Sequence, residues 1–336
     1  QLIVSAERCP DDGARDGSIC PASRLPPDGI LLTSFDPRRS VVDEVGSRDN
    51  TQTFVTSHAA WSPPPLPLLG RTSFSLLGGW HRTRTEELRD FDATNLDLST
   101  EYKKADAIQR VLETSWASAP GEPFAWKLGL FYLNERVRVD YSAQEGNIGA
   151  DIPLRFVSAR TEIRTHELAG YADLRIPLGA DAYALLGVRR TRSSRQAIEG
   201  RSVGISPLLG TRPPLRRPRE ATWHDWAPRV GLEVDFSPQA LLAATVTWGF
   251  KTGAFAIGAG ANSSAQIFAP EELWTFEVLS KNAWFDDRLK LNLGFFWTDY
   301  ANYQNCFTRG TTFGCSIGEA TSYGAELELQ AEPLPE

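Results

Sequence analysis

Trp284-Phe285-Asp286-Asp287-Arg288-Leu289-Lys290-Leu291-Asn292-Leu293-Gly294-Phe295-Phe296-Trp297-Thr298-Asp299-Tyr300 reads as one tight turn and the strand it launches. Asp286 and Asp287 supply the turn, because short acidic side chains bond their own backbone and tolerate sharp bends. Beyond them Leu289, Leu291, Leu293, Phe295 and Trp297 alternate with Lys290, Asn292, Gly294, Phe296 and Thr298. Strand side chains point to opposite faces with period two, so one face is wholly apolar and the other mostly polar or small. The apolar face ends in aromatics, with Tyr300 just past Trp297. One such strand suits many folds, so the weight falls on whether the chain repeats it.

The totals exclude several classes. The 336 residues are 41% hydrophobic and 23% charged, ordinary proportions for a folded chain. A net charge of -7 and a pI near 5.3 give no overall attraction for nucleic acid. Mean hydropathy is -0.29, and no apolar run approaches the roughly 18 residues of a transmembrane helix. A transmembrane barrel stays open, since each of its strands gives a far weaker signal. No methionine occurs anywhere and no signal-peptide pattern opens the chain, so it reads as a piece of a longer protein.

Residues 1–50 are punctuated like a loop by Asp11, Asp12, Gly13, Pro26, Pro27 and Asp28. Eleven strands are then expected near 51–60, 71–83, 107–118, 124–135, 163–176, 182–193, 222–236, 240–252, 272–284, 288–301 and 319–330. Short turns fall at Pro120-Gly121-Glu122-Pro123, at 177–181, at Ser237-Pro238-Gln239 and at Asp286-Asp287, with a proline-rich link over 61–70. Long segments near 84–106, 136–162, 194–221, 253–271 and 302–318 lie between them and read as loops. Successive antiparallel connections fall at opposite rims, so one rim has turns and the other large loops. Outer-membrane barrels have this asymmetry, with short periplasmic turns and long extracellular loops.

Two further patterns agree. Tyr323, Ala325, Leu327 and Leu329 alternate with Gly324, Glu326, Glu328 and Gln330. Carboxylates so placed are costly in a dry core or on a lipid face, and cheap on the wall of a water-filled lumen. Trp80, Trp116, Trp126, Trp223, Trp226, Trp248, Trp274 and Trp284 cluster at strand ends, as an interfacial girdle requires. The strand 182–193 alternates poorly and its faces stay unassigned. Cys9 with Cys20, and Cys306 with Cys315, form local pairs in turn-rich stretches that suit loop disulfides in an oxidising compartment; four free thiols are the alternative.

Trp226-Ala227-Pro228-Arg229-Val230-Gly231-Leu232, Ser237-Pro238 and Trp248-Gly249-Phe250-Lys251-Thr252-Gly253 resemble the late barrel strands of TonB-dependent outer-membrane receptors. So do Pro270-Glu271-Glu272-Leu273-Trp274-Thr275-Phe276-Glu277, Asp299-Tyr300 and the run Gly318 to Glu326; Trp126 to Tyr132 is similar to an earlier strand. The resemblance covers 222–330 most closely and 51–200 more loosely. It implies a barrel of about 22 strands around an N-terminal plug. It also implies energy from the TonB complex acting through that plug, and a place in the outer membrane of a Gram-negative bacterium. Eleven strands are half of such a barrel. Residues 1–336 are therefore expected to be part of one receptor barrel domain, with plug and C-terminal strands outside the sequence.

No Gly-x-Ser-x-Gly elbow, His-Glu-x-x-His or P-loop is present, and the four histidines are scattered. No catalytic residue, metal or cofactor is assigned. The binding candidates lie in two long segments. Around 189–220, Arg189, Arg190, Arg192 and Arg195 begin a run continued by Arg201, Arg212, Arg216, Arg217 and Arg219, against only Glu199 and Glu220. Planar guanidinium forks bind carboxylates and phosphates two bonds at a time. A basic extracellular loop of this kind receives an anionic ligand such as a ferric siderophore, or contacts lipopolysaccharide phosphates, or is simply solvated. The second candidate is 253–268, where Phe255 and Phe268 offer faces on which a ligand packs. The implied function is import of a scarce small molecule, an iron chelate first, with outer-membrane lipid and lipopolysaccharide as surroundings. A passive channel and a soluble β-propeller or sandwich enzyme are the rivals.

Overall fold

The computed structural model describes residues 46–67, 69–90, 99–122, 124–148, 152–204, 215–255, 267–309 and 312–332. Every regular element among them is a strand: β1 Ser47–Trp61, β2 Thr72–Asp90, β3 Ser99–Ser118, β4 Ala125–Ile148, β5 Ile152–Pro177, β6 Ala182–Gly204 and β7 Leu215–Ser237. They continue as β8 Ala240–Lys251, β9 Ala254–Phe255, β10 Ile267–Phe268, β11 Glu271–Trp284, β12 Leu289–Arg309 and β13 Thr312–Ala331. Eleven make one antiparallel sheet in the order β1-β2-β3-β4-β5-β6-β7-β8-β11-β12-β13, while β9 and β10 pair separately. All eleven expected strands are present, each paired with its sequence neighbours. The chain is an antiparallel β meander that leaves β1 and β13 as edges.

Short connections join β1 to β2, β3 to β4, β5 to β6, β7 to β8 and β11 to β12, so all lie at one rim. The β11–β12 turn shows why the acidic pair stands there. Phe285, Asp286 and Asp287 take φ of 57°, 54° and 66°, in the left-handed region that Asp tolerates better than most residues.

The other rim differs from expectation. Most of the segments read as long loops are strand: β4 runs to Ile148 and β5 resumes at Ile152, and β12 runs to Arg309 before β13 starts at Thr312. These are tall hairpins whose backbone groups pair with each other far beyond one bilayer thickness. Their sequence lacks a strand signal because their outer faces carry charged groups such as Arg136, Arg138 and Glu162 instead of an apolar stripe, which removes the apolar alternation.

The register sets the two faces. Leu293 pairs with Leu327, Phe295 with Ala325 and Trp297 with Tyr323; on the other side Val278 pairs with Phe295 and with Ala244. The same face continues through Leu232, Val230, Leu186, Leu174, Leu130, Leu128, Leu76 and Phe74. These side chains are largely exposed, Tyr323 at 70% and Leu327 at 68%. A continuous apolar band open to its surroundings is a lipid face, not a core. The opposite face is polar and more crowded: Ala169, Thr191, Ser193 and Leu185 are buried there, as on the concave side of a curved sheet. It is the lumen wall. Lys290, Asn292 and Thr298 stand on it as expected, and Asn292 Nδ2 donates to Glu328 at 2.9 Å.

Aromatics edge the band at both levels. Trp116 and Trp126 meet edge to face at 5.2 Å by the short turns, and Trp80, Trp226 and Trp274 stand toward the hairpin side. Trp223 is the exception: it pairs with Ser193 on the inner face and does not belong to the girdle.

Candidate functional site

Alternation along β6 now assigns the strand whose faces the sequence left open. Odd residues point inward and even ones outward, following Leu185 and Leu186. The arginine run is thereby divided. Arg189, Arg190, Arg192 and Arg195 lie in β6 rather than in a loop; Arg189 and Arg195 face the lumen, and Arg190 and Arg192 face out. Arg201 ends in the same strand, Arg216, Arg217 and Arg219 open β7, and Arg212 lies outside the described residues.

The inner wall carries a ladder of charge and aromatic contacts. Toward the short turns, Arg175 reaches Glu233 at 2.7 Å and Asp235 at 3.3 Å while its guanidinium covers the Tyr183 ring at 3.2 Å. Higher up, Tyr171 donates its hydroxyl to Glu113 at 2.6 Å, lying across Gly129, where a Cβ would meet the ring at 2.1 Å. Next, Arg189 pairs with Glu167 at 3.2 Å and sits 4.9 Å from the centre of the Phe131 ring. A lumen wall of paired charges keeps its groups wetted and its shape fixed.

Above this level the described ends of the link after β8, through Phe255 and from Ile267, fold inward. β8 pairs with β7 only from Arg229 to Ser237, beginning just after Pro228, whose missing N–H cannot serve a ladder. The chain leaves β8 at Lys251 and returns through the small β9–β10 pair, where Ile267 faces Phe255 and Phe268 faces Ala254. Arg195 Nη1 donates to the Gly253 carbonyl at 2.9 Å, tying this lid to β6. A Cβ on Gly253 would meet the Trp223 ring and the Phe268 carbonyl, each at 2.4 Å, so only glycine fits. Phe255 lies 6.1 Å from Trp223, ring centre to ring centre. Phe255 and Phe268 are 8% and 3% exposed, so they anchor the lid and turn no open face to a ligand. Ser193 Oγ, Arg195 Nε and Asp225 Oδ2 are buried beside it without a hydrogen-bond partner. The sequence reads Trp223 as a girdle aromatic and does not single out Asp225; only the pairing of β7 with β6 places both on the inner face.

This is an eleven-stranded wall with an apolar exterior, a polar interior and an inward-folded lid near the tall-hairpin rim. The model of the family "TonB dependent receptor-like, beta-barrel" matches residues 22–333. The chain belongs to that family. Membership places it in the outer membrane of Gram-negative bacteria. Solved structures of similar fold include the ferric yersiniabactin uptake receptor FyuA from Yersinia pestis, at TM-score 0.70 and 16% identity, covering 86% of this chain and 41% of that one. The ferric-catecholate import receptor Fiu from E. coli K12 follows at TM-score 0.59 and 14% identity, covering 86% and 46%. The siderophore receptor PiuA from Acinetobacter baumannii aligns at TM-score 0.55 and 13% identity, covering 85% and 45%. The chain thus spans under half the length of these receptors, and at such identities the likeness is one of fold.

Proposed function

We propose that this chain is barrel wall of a receptor that captures a ferric siderophore at its outer mouth and imports it with TonB-transmitted energy. The observation that carries the reading is the inner wall near the lid: Arg189 and Arg195 stand on the lumen face of β6, Arg195 bonded to Gly253 of the lid and Arg189 lower on the wall beside Glu167. Iron chelates commonly carry carboxylate or catecholate oxygens, and guanidinium forks recognise such anions directionally. Arg190 and Arg192, on the outer face, take no part in this site. Phe255 and Phe268 serve it by holding the lid. The named uptake receptors of similar fold support the ligand class.

The test uses the whole receptor that carries this chain, purified and titrated with a panel of ferric siderophores by intrinsic tryptophan quenching. One ferric chelate is expected to bind in the micromolar range or tighter. Arg195→Gln and Arg189→Gln are each expected to weaken it about tenfold, the scale of one charge-assisted contact. Unaltered binding in both variants moves the site elsewhere. Uptake that continues without TonB and without solute preference would make the protein a passive channel instead.

A further inference from the structure

The outer face carries a second basic surface, above the lipid band and remote from the lumen. Register places Arg82, Ile108, Arg136 and Arg164 on one rung across β2, β3, β4 and β5. One step toward the membrane the rung is Trp80, Arg110, Asn134 and His166, and below it come Leu112, Tyr132 and Leu168 of the apolar band. On β6, where the sheet is staggered, Arg190 and Arg192 follow directly on Val188. The arginines therefore trace the upper border of the lipid face across five strands.

The protein does not neutralise this border. Arg136 and Arg164 are directly opposed, an arrangement that like charges make unfavourable. Together with Arg138 they share the single carboxylate of Glu162, at 3.0, 2.8 and 3.1 Å. Arg82 and Arg84 share Asp106. Among the described residues Arg110 and Arg192 have no ion-pair partner and are exposed, and Arg190 has only the ring of Trp226, 4.6 Å away. Strands lie about 4.8 Å apart, so Arg110, Arg136 and Arg164 span roughly 10 Å of surface. They stand on the rungs directly above the apolar rung of Leu112, Tyr132 and Leu168.

We infer that this rung is a binding site for the phosphate groups of the outer-leaflet glycolipid, held from outside the barrel by Arg110, Arg136 and Arg164. The charge is complementary, the site borders the lipid face without a break, and forked guanidiniums chelate phosphate oxygens pairwise. Glu162 and Asp106 hold the neighbouring side chains in register, so the cluster meets the lipid already ordered.

The experiment places the whole receptor in nanodiscs containing bisphosphorylated lipid A and measures retained glycolipid by mass spectrometry after washing. Arg110→Gln/Arg136→Gln/Arg164→Gln is expected to lower retention at least tenfold, and the inward Lys290→Gln to leave it unchanged. Raising salt from 0.1 to 0.5 M is expected to weaken the wild type and not the triple variant. Should the triple variant fail to assemble, Arg110→Gln alone, which breaks no described ion pair, is expected to lower retention about threefold. Equal retention in wild type and variants overturns the assignment. So does equal retention of dephosphorylated lipid A, and displacement by millimolar inorganic phosphate would assign the rung to a soluble anion.

Discussion

Glu162 shows how one side chain stabilises a surface that is otherwise repulsive. Its burial works against ionisation, but hydrogen bonds from Arg136, Arg164 and Arg138 outweigh that effect and lower its pKa from the ordinary 4.5 to about 2. Because the folded value lies below the unfolded one, the bridge contributes fully above about pH 4.5 and is lost as pH falls through about 2. Thermal unfolding of wild type and Glu162→Gln is therefore expected to differ by a constant gap from pH 5 to 8, and the gap should close toward pH 2. A gap that widens on acidification would contradict the bridge. Leu293 and Asn292 test the faces one residue apart. Leu293 faces lipid beside Leu327, and Asn292 faces Glu328 across the lumen wall. Arg at position 293 should cost about 2–4 kcal/mol near the bilayer midplane, and Arg at 292 much less. Equal losses of folded barrel in a urea titration would mean the faces are misassigned. Both faces were legible in the sequence here, because Leu, Leu, Leu, Phe and Trp stand against Lys, Asn, Gly and Thr. The inward Trp223 was not legible, since Trp223 and Trp226 are both aromatics at a strand end and only pairing with β6 separates them.

Individual strands were readable only where lipid enforces period two. Inside the band the expected β8 and β11 differ from the observed ones by one residue at most. Above it β4 outruns its expected end by 13 residues, from 135 to Ile148, because backbone pairing alone extends it and leaves no pattern. The same hairpin growth bears on the cysteines. Cys9 and Cys20 lie outside the described residues, but the β12–β13 register sets Cys306 directly opposite Cys315. Opposed residues in an antiparallel pair have Cα atoms about 4.5–5.5 Å apart, inside the range a disulfide spans. We propose that the two are joined across the strands, formed on passage through the oxidising periplasm. Closing so short a loop adds roughly 2–3 kcal/mol on the chain-entropy view. Maleimide labelling of unreduced receptor is expected to modify neither residue, and reduction to expose both. Labelling of 306 and 315 before reduction would show two free thiols.

At the scale of the molecule, the sheet raises a question that its own strands do not answer. β1 and β13 present unpaired N–H and C=O groups along strands of 15 and 20 residues. In hydrocarbon each unpaired group costs several kcal/mol, and a row of them is untenable, so a spanning sheet must close or be completed. The two edges are not paired with each other here, and this chain covers only 41% and 46% of two solved receptors of this fold. We propose that further strands complete the wall on both sides. Expressed alone and refolded in detergent, residues 1–336 should give mixed oligomers through edge pairing, with no discrete heat-modifiable monomer on electrophoresis. Supplying the remaining barrel strands as a second polypeptide should convert them to one compact species with slowed amide exchange in β1 and β13. The opposite result, a monomeric heat-modifiable barrel from residues 1–336 alone, would show that β1 and β13 meet each other. It would make the lumen far narrower than that of the receptors of similar fold, and the wall under the lid could then pass only small solutes.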